Sequence, residues 1–367
     1  MSRLKVLVVA AAVLLCAGGA MANNFGTSDQ IYIPIAAKVA GGSGTFFSDI
    51  WVTNMEATTP VTVSVIFTPI GQVDSSQCPG FNATSAPTTG CPKNYPNLFT
   101  LQGGERREFI NFIETALNLP NGGQGSLIFN ACESGRDCIA TQDPDGISPF
   151  YKNIAVFSRI YSIPPGTALN DATPPRTVGQ TFPGTPWFMF ASSNSFANGF
   201  DRVTISGVRN TGTGANPAGT YRSNIGFLNT SQFSRTTIVV KLFNGSLRTQ
   251  IGSTFTRELG PLQSLQPSII SMFPEFAAVA SSTNAYVTVE QTGSVAVAIP
   301  GDTIPTGCAT NGGCPGFIAF GSVLDNLSGD ATTLQAVFEK TLSEAALGAI
   351  FGKTAGDKPV IRRATRR

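Results

Sequence analysis

The chain contains no histidine in its 367 residues. That absence removes every Ser–His and Cys–His catalytic pairing and the commonest metal ligand. Charge is also scarce: Asp, Glu, Lys and Arg make up 13% of the sequence, so polar surface must come largely from Ser, Thr, Asn, Gln and Gly. Basic residues do not cluster in the body of the chain, which excludes a nucleic-acid footprint. Beyond the N-terminus no apolar run is long enough to cross a bilayer. An enzyme here would have to rely on carboxylates, Lys or Tyr, and glycosidases do use paired carboxylates without histidine. Glu105, Glu108 and Glu114 are near one another in sequence, but they sit in a polar, charged turn and read as solvated surface. No catalytic residue, cofactor or metal site is assigned.

The first residues read as an export signal. Arg3 and Lys5 form a charged head, Val6 through Cys16 is apolar, and Ala20-Met21-Ala22 fits the small-x-small cleavage rule. The mature chain is expected to begin at Asn23 and to be secreted, periplasmic or at the cell surface. Without Arg3 and Lys5, the 24 basic residues fall to 22 and match the 22 acidic ones. The balance is uneven, because the segment from Lys353 to the end holds six basic residues and one acid.

Six cysteines follow the signal: Cys78, Cys91, Cys132, Cys138, Cys308 and Cys314. An even number in an exported chain reads as disulfides. The chain also repeats itself. Gly44-Thr45-Phe46-Phe47-Ser48-Asp49-Ile50-Trp51-Val52-Thr53-Asn54 returns as Gly219-Thr220-Tyr221-Arg222-Ser223-Asn224-Ile225-Gly226-Phe227-Leu228-Asn229, with five identities. Cys132 and Cys138 return as Cys308 and Cys314 at the same spacing. The repeat therefore pairs Cys132 with Cys138 and Cys308 with Cys314, and leaves Cys78 for Cys91.

Apolar residues alternate with polar ones at Val61, Val63, Val65 and Phe67, and again at Ile238, Val240 and Leu242. Such period-2 runs are half-buried strands. About seven short strands per unit, with turn signals between them, predict two tandem immunoglobulin-like β-sandwiches in an all-β fold. The expected organisation is a signal at 1–22, a first sandwich at 23–163, a stiff Pro-rich linker at 164–186, and a second sandwich at 187–331. An amphipathic helix at 332–351, carried by Leu334, Val337, Phe338, Leu342 and Ile350, and a basic tail at 352–367 complete it. Short helical character is expected at Phe109–Leu117 and Ile269–Ala278, a stapled insertion near Gly71–Pro96, and an extra hairpin near Phe200–Asn216.

Other motifs are weaker. Asp143 and Asp145, or Asp325, Asn326 and Asp330, offer oxygen ligands to calcium, but a calcium loop needs more carboxylates at fixed offsets. Asn82, Asn229, Asn244 and Asn326 begin Asn-x-Ser/Thr triplets. Trp187-Phe188-Met189-Phe190 has the look of an aromatic platform, yet on a strand at most two of these residues share a face.

At Ser48–Asn54, and at Asp325-Asn326-Leu327-Ser328-Gly329-Asp330, the chain resembles a loose group of secreted bacterial repeat proteins with immunoglobulin-like units. The first unit lacks the closing turn of that group, and the resemblance implies a fold but no activity. The expected function is non-catalytic binding, adhesion or a structural role at the cell surface, with an extracellular protein or glycan as partner. A second reading is a self-assembling homo-oligomeric subunit that donates the Gln30–Val39 strand to a neighbour's sheet edge. A third is a carbohydrate-active enzyme.

Overall fold

A computed structural model describes residues 26–41, 44–71, 78, 90–136, 138, 150–163, 178–192, 200–211, 221–278, 284–299, 303–304, 306–310, 312–325 and 331–339. The fold is predominantly β, in several antiparallel sheets. The first half runs β1 (Gln30–Gly41), β2 (Gly44–Asn54), β3 (Val61–Pro69), β4 (Lys93–Leu101), β5 (Arg106–Phe109), a one-turn helix α1 (Phe112–Thr115), β6 (Gly123–Glu133), β7 (Ile154–Ile163), β8 (Val178–Pro183) and β9 (Thr185–Pro186). The second half runs β10 (Arg202–Val208), β11 (Tyr221–Asn229), β12 (Ser234–Asn244), β13 (Thr249–Leu259), β14 (Ser264–Leu265), α2 (Ile269–Met272), β15 (Ala285–Ala296), α3 (Thr306–Thr310), β16 (Phe317–Asp325), β17 (Ala331–Leu334) and β18 (Ala336–Glu339).

The two halves share one topology. In the first, one layer has the order β4-β3-β6-β1 and the other β5-β2-β7-β8; in the second the layers are β13-β12-β15-β10 and β14-β11-β16-β17. We call the outer surface of the first-named layer of each copy its front and that of the other its back. Between the layers lies a packed core. Val61, Val63, Val65, Leu127 and Phe129 of the first front layer meet Ile50, Val52, Ile154 and Val156 of the back layer. Ile238, Val240, Leu242, Val287 and Val289 meet Ile225, Phe227, Phe317 and Ala319 in the second copy. Each such side chain contributes about 1.5–3 kcal/mol on burial, and alternate residues of each strand supply it.

The repeated polar residues are explained by local hydrogen bonds. Asn54 ends β2 and is buried. Its amide donates to the carbonyls of Thr59 at 2.8 Å, Gln102 at 2.9 Å and Leu101 at 3.4 Å, while its Oδ1 accepts from Glu56 N at 2.9 Å. Asn229 repeats the set on Ser234, Gly260 and Leu259 at 2.7, 2.9 and 3.3 Å, and accepts from Ser231 N at 3.0 Å. Ser48 accepts from Ala37 N at 2.7 Å, and Ser223 from Arg209 N at 2.9 Å. One Asn ties the strand end to the β4 or β13 turn, and one Ser ties the strand to the one before it.

The repeat is longer than the sequence motifs indicate, and this overturns two expectations at once. The Pro-rich segment is not simply an extended linker: β8 pairs with β7, and β9 pairs with β1 at Ile31 and Tyr32. The start of the expected C-terminal helix is likewise strand: β17 pairs with β16, and β18 pairs with β10 at Arg202–Ile205. β8–β9 and β17–β18 are the same closing pair of strands in the two copies. Residues 340–367, with the rest of that helix and the basic tail, lie outside the described residues, as do residues 1–25 with the export signal.

Arg202–Val208 is not an addition to the second copy but the counterpart of β1, since both lie beside the sixth strand of their copy. Trp187–Met189 is a single 3-10 turn rather than a strand. Lys93–Pro96, placed in the stapled insertion, begins β4.

The two copies are fastened together. Tyr32, Ile66 and Ile128, on the front of the first, are buried with Phe190, Leu228, Leu262 and Ile318 of the second. Ile35, Ile160 and Phe182 surround Phe320. The Tyr32 hydroxyl donates to Thr230 O at 3.3 Å, Gly71 N to Ser264 O at 3.2 Å and the Thr333 hydroxyl to Thr181 O at 2.7 Å. The front of copy one, together with β7 and β8 of its other layer, therefore meets the back of copy two.

Candidate functional site

The back of the first copy has different chemistry from its counterpart. β2 and β7 pair so that Phe47 is opposite Tyr161, Asp49 opposite Arg159, and Trp51 opposite Phe157. All six lie on the opposite side of the sheet from the intervening Ser48, Ile50, Val52, Val156, Ser158 and Ile160, which are buried. The rings of Phe47 and Tyr161 stack at 6.0 Å, and those of Trp51 and Phe157 are tilted at 5.7 Å. Phe47, Trp51 and Phe157 are half-buried and belong to none of the four buried clusters. Glu108 and Arg106 of β5 flank the face, opposite Trp51 and Thr53. The result is a flat aromatic surface with a carboxylate and a guanidinium between its two ring pairs.

Asp49 is buried at the centre of this face. Its Oδ1 accepts from Asn111 N at 2.9 Å and from the Tyr161 hydroxyl at 3.1 Å. Burial pushes its carboxyl above the ordinary aspartate range, against the opposing pull of those two bonds and of Arg159. Asn111 caps α1 in the left-handed region, φ 52°, and its amide donates to Glu114 at 2.5 Å. Glu114 also pairs with Lys38 at 2.8 Å. Those bonds from Lys38 and Asn111 hold its carboxyl below the usual range.

The three glutamates considered from sequence are held apart. Glu105 accepts from Gln102 N at 2.7 Å and pairs with Arg107 at 2.6 Å, which lowers its carboxyl. Glu108 is exposed on β5, and Glu114 is held by Lys38. Asp143 and Asp145 lie outside the described residues, as do Asn326 and Asp330; Asp325 ends β16. Among the described residues no group of three His, Cys, Asp or Glu is placed to hold a metal, and no helix is long and apolar enough to cross a membrane.

Disulfides join Cys78 to Cys91, Cys132 to Cys138 and Cys308 to Cys314. The last two fall between the sixth and seventh strands of their copies, Cys132 starting from the end of β6 and Cys308 from α3. Trp187 and Phe188 do not form a platform with Phe190. Trp187 donates its indole N–H to Asp29 at 3.1 Å, while Phe190 is buried edge-on against Tyr32 at 4.7 Å. Asn244 accepts from Ser246 N and Leu247 N at 3.0 Å and shapes a hairpin turn. Asn82 lies outside the described residues.

Fold and face together define an all-β protein of two fastened, repeated units with an aromatic outer surface on the first. No family model matches the chain, and no curated protein matches it.

Proposed function

We propose that the chain is an exported, non-catalytic binding or cell-surface structural protein of two immunoglobulin-like sandwiches, and that the back of the first sandwich is its contact surface. One observation carries this reading. The same sheet face in the second copy, through Leu228, Ile318 and Phe320, is already a protein contact, while in the first copy half-buried Phe47 and Trp51 pack into no buried cluster among the described residues. Large apolar side chains left on a terminal repeat mark an interaction site, because end repeats otherwise carry polar outer faces. The residues also suit a partner with an apolar plane, since aromatic rings supply contact area at low entropy cost.

The test is to bind the purified chain to arrayed glycans and to bacterial surfaces, with Trp51→Ala and Phe47→Ala beside the parent. Loss of binding at least tenfold with unchanged unfolding supports the reading. Binding that survives both substitutions overturns the assignment of this face.

A further inference from the structure

In the first copy a lysine, a glutamate and an asparagine meet at one oxygen. Glu114 Oε2 lies 2.8 Å from Lys38 Nζ and 2.5 Å from Asn111 Nδ2. Lys38 comes from β1, the other two from the start of α1. Lys38 Nζ also donates to Pro120 O at 2.7 Å. Asn111 is 4% exposed, and Asp49 holds its backbone N–H. Its amide oxygen is buried and accepts no hydrogen bond. An asparagine ahead of a helix ordinarily turns that oxygen to a backbone N–H of the first turn, and Asn111 makes no such bond. We infer that Lys38 and Asn111 form a self-modification site, where the lysine amine displaces ammonia from the asparagine side chain with Glu114 as proton carrier, and β1 becomes covalently joined to the start of α1.

The second copy forms the same elements without this trio. α2 takes the place of α1, and its N-cap is Ser268, whose hydroxyl accepts from Ser271 N at 3.2 Å. Ser268 and Ser271 thus stand where Asn111 and Glu114 do. The matching bonds accepted by Ser48 and Ser223 set Ala37 against Arg209, so Asn210 stands where Lys38 does. The three groups of the first copy are therefore additions to the fold and not conditions of it.

A carboxylate in contact with two nitrogens can carry a proton from one to the other. Hydrogen bonds from Lys38 and Asn111 keep Glu114 ionised, so it begins as the base. It takes a proton from the Lys38 ammonium, and the freed amine attacks Asn111 Cγ. As the new C–N bond forms, Glu114 returns its proton to Nδ2, and the Cγ–Nδ2 bond breaks. Ammonium leaves with two of the protons that began on Lys38, and the third stays on the new amide. Nothing is oxidised or reduced. Glu114 is the most exposed of the three, with 41% of its side chain accessible, so the ammonium escapes to solvent and the exchange runs one way. Fixed proximity replaces a chance encounter of the two groups. Asn111 Oδ1 has no donor to steady the charge it gains, which makes this a slow, single turnover.

The test is intact mass spectrometry of the purified chain with its disulfides reduced, beside Lys38→Arg and Glu114→Gln, as purified and after prolonged incubation at neutral pH. Circular dichroism checks that each is folded; both substitutions keep the size of side chains that reach solvent. The expected parent is lighter by one ammonia than its composition requires, and both variants keep their full mass. A tryptic digest of the parent should give one branched peptide, uncleaved after Lys38 and joined to the peptide that holds Asn111. A folded parent that stays at full mass overturns the inference. Loss of ammonia without the branched peptide also overturns it, because an asparagine can close on its own backbone with the same loss. So does a branched peptide that survives Glu114→Gln.

Discussion

Replacing Asn54 by Ala removes four hydrogen bonds from a buried site. Asn54 is 1% exposed, and its partners include the carbonyls of Leu101 and Gln102, 47 and 48 residues away. A buried carbonyl or amide left without a partner costs about 1–3 kcal/mol. The Leu101 bond at 3.4 Å is weak and Glu56 N is nearer to solvent, so two strong bonds dominate and the expected loss is about 2–4 kcal/mol. Asn229→Ala should lose a similar amount, because Asn229 is 0% exposed and makes the same set. Asp at either site should be worse than Ala: it keeps the shape but turns an acceptor and a charge toward carbonyl oxygens. The assay is urea unfolding followed by tryptophan fluorescence and far-ultraviolet circular dichroism, at neutral pH. A loss below about 0.5 kcal/mol for Ala, the level of an ordinary surface substitution, or an Asp variant as stable as Asn, would refute the role given to this residue.

Gly226 lies under the Phe320 ring, and a Cβ there would come within 2.0 Å of it. Gly226→Ala should force Phe320 from its place among Ile35, Ile160 and Phe182, cost about 1–3 kcal/mol, and split unfolding into two transitions; one unchanged transition would contradict the fastening of the halves. The raised carboxyl of Asp49 means that the folded chain holds this proton more tightly than the unfolded one. Its stabilisation is complete below the unfolded aspartate value of about 3.9 and is lost as pH rises through the higher folded value. Asp49→Asn, the residue present at Asn224, should therefore raise the urea midpoint at neutral pH, with the gain fading on acidification; an equal gain at both would count against burial as the cause. Replacing Cys132 and Cys138, or Cys308 and Cys314, by Ser should cost about 2 kcal/mol per bridge, and Cys78 with Cys91 about 3 kcal/mol, following loop length; thermal melts of the three double variants test the order.

Much of the fold was legible where a strand has one dry and one wet side. β3 and β12 show alternation because both are flanked by neighbours and cover a core. β13 was not legible, because an edge strand exposed along Ser253–Thr254 and Thr256–Glu258 has little apolar period to show. β4 was hidden by Pro96 and by Asn97 at φ 49°, which break its pattern. The closing strands were obscured for opposite reasons: prolines around β8–β9 look like linker, while Leu334, Val337 and Phe338 fit a helix until Gln335 is seen to separate two four-residue strands. The back face was written plainly in alternate positions, Phe47, Asp49, Trp51 and Phe157, Arg159, Tyr161. Comparing the copies draws attention away from it, because this is where they differ: Trp51 stands against Gly226 and Asp49 against Asn224.

The strand that the sequence offered for pairing with a neighbour is paired within its own chain. β1 pairs with β6 from Gln30 to Lys38, with β9 at Ile31 and Tyr32, and with β2 from Val39 to Gly41. Removing 23–36 would strip from the first front layer most of the strand that pairs with β6.

That placement has a mechanical consequence. A pull on the chain ahead of Gln30 acts along a strand gripped on two sides, so the bonds to β6 and β9 resist together instead of parting one by one as they would at a peeled edge. At the other end, among the described residues, β18 pairs with one strand, β10. A chain tethered and stretched between its ends should yield first from the C-terminal side, with the N-terminal sandwich the last part to open.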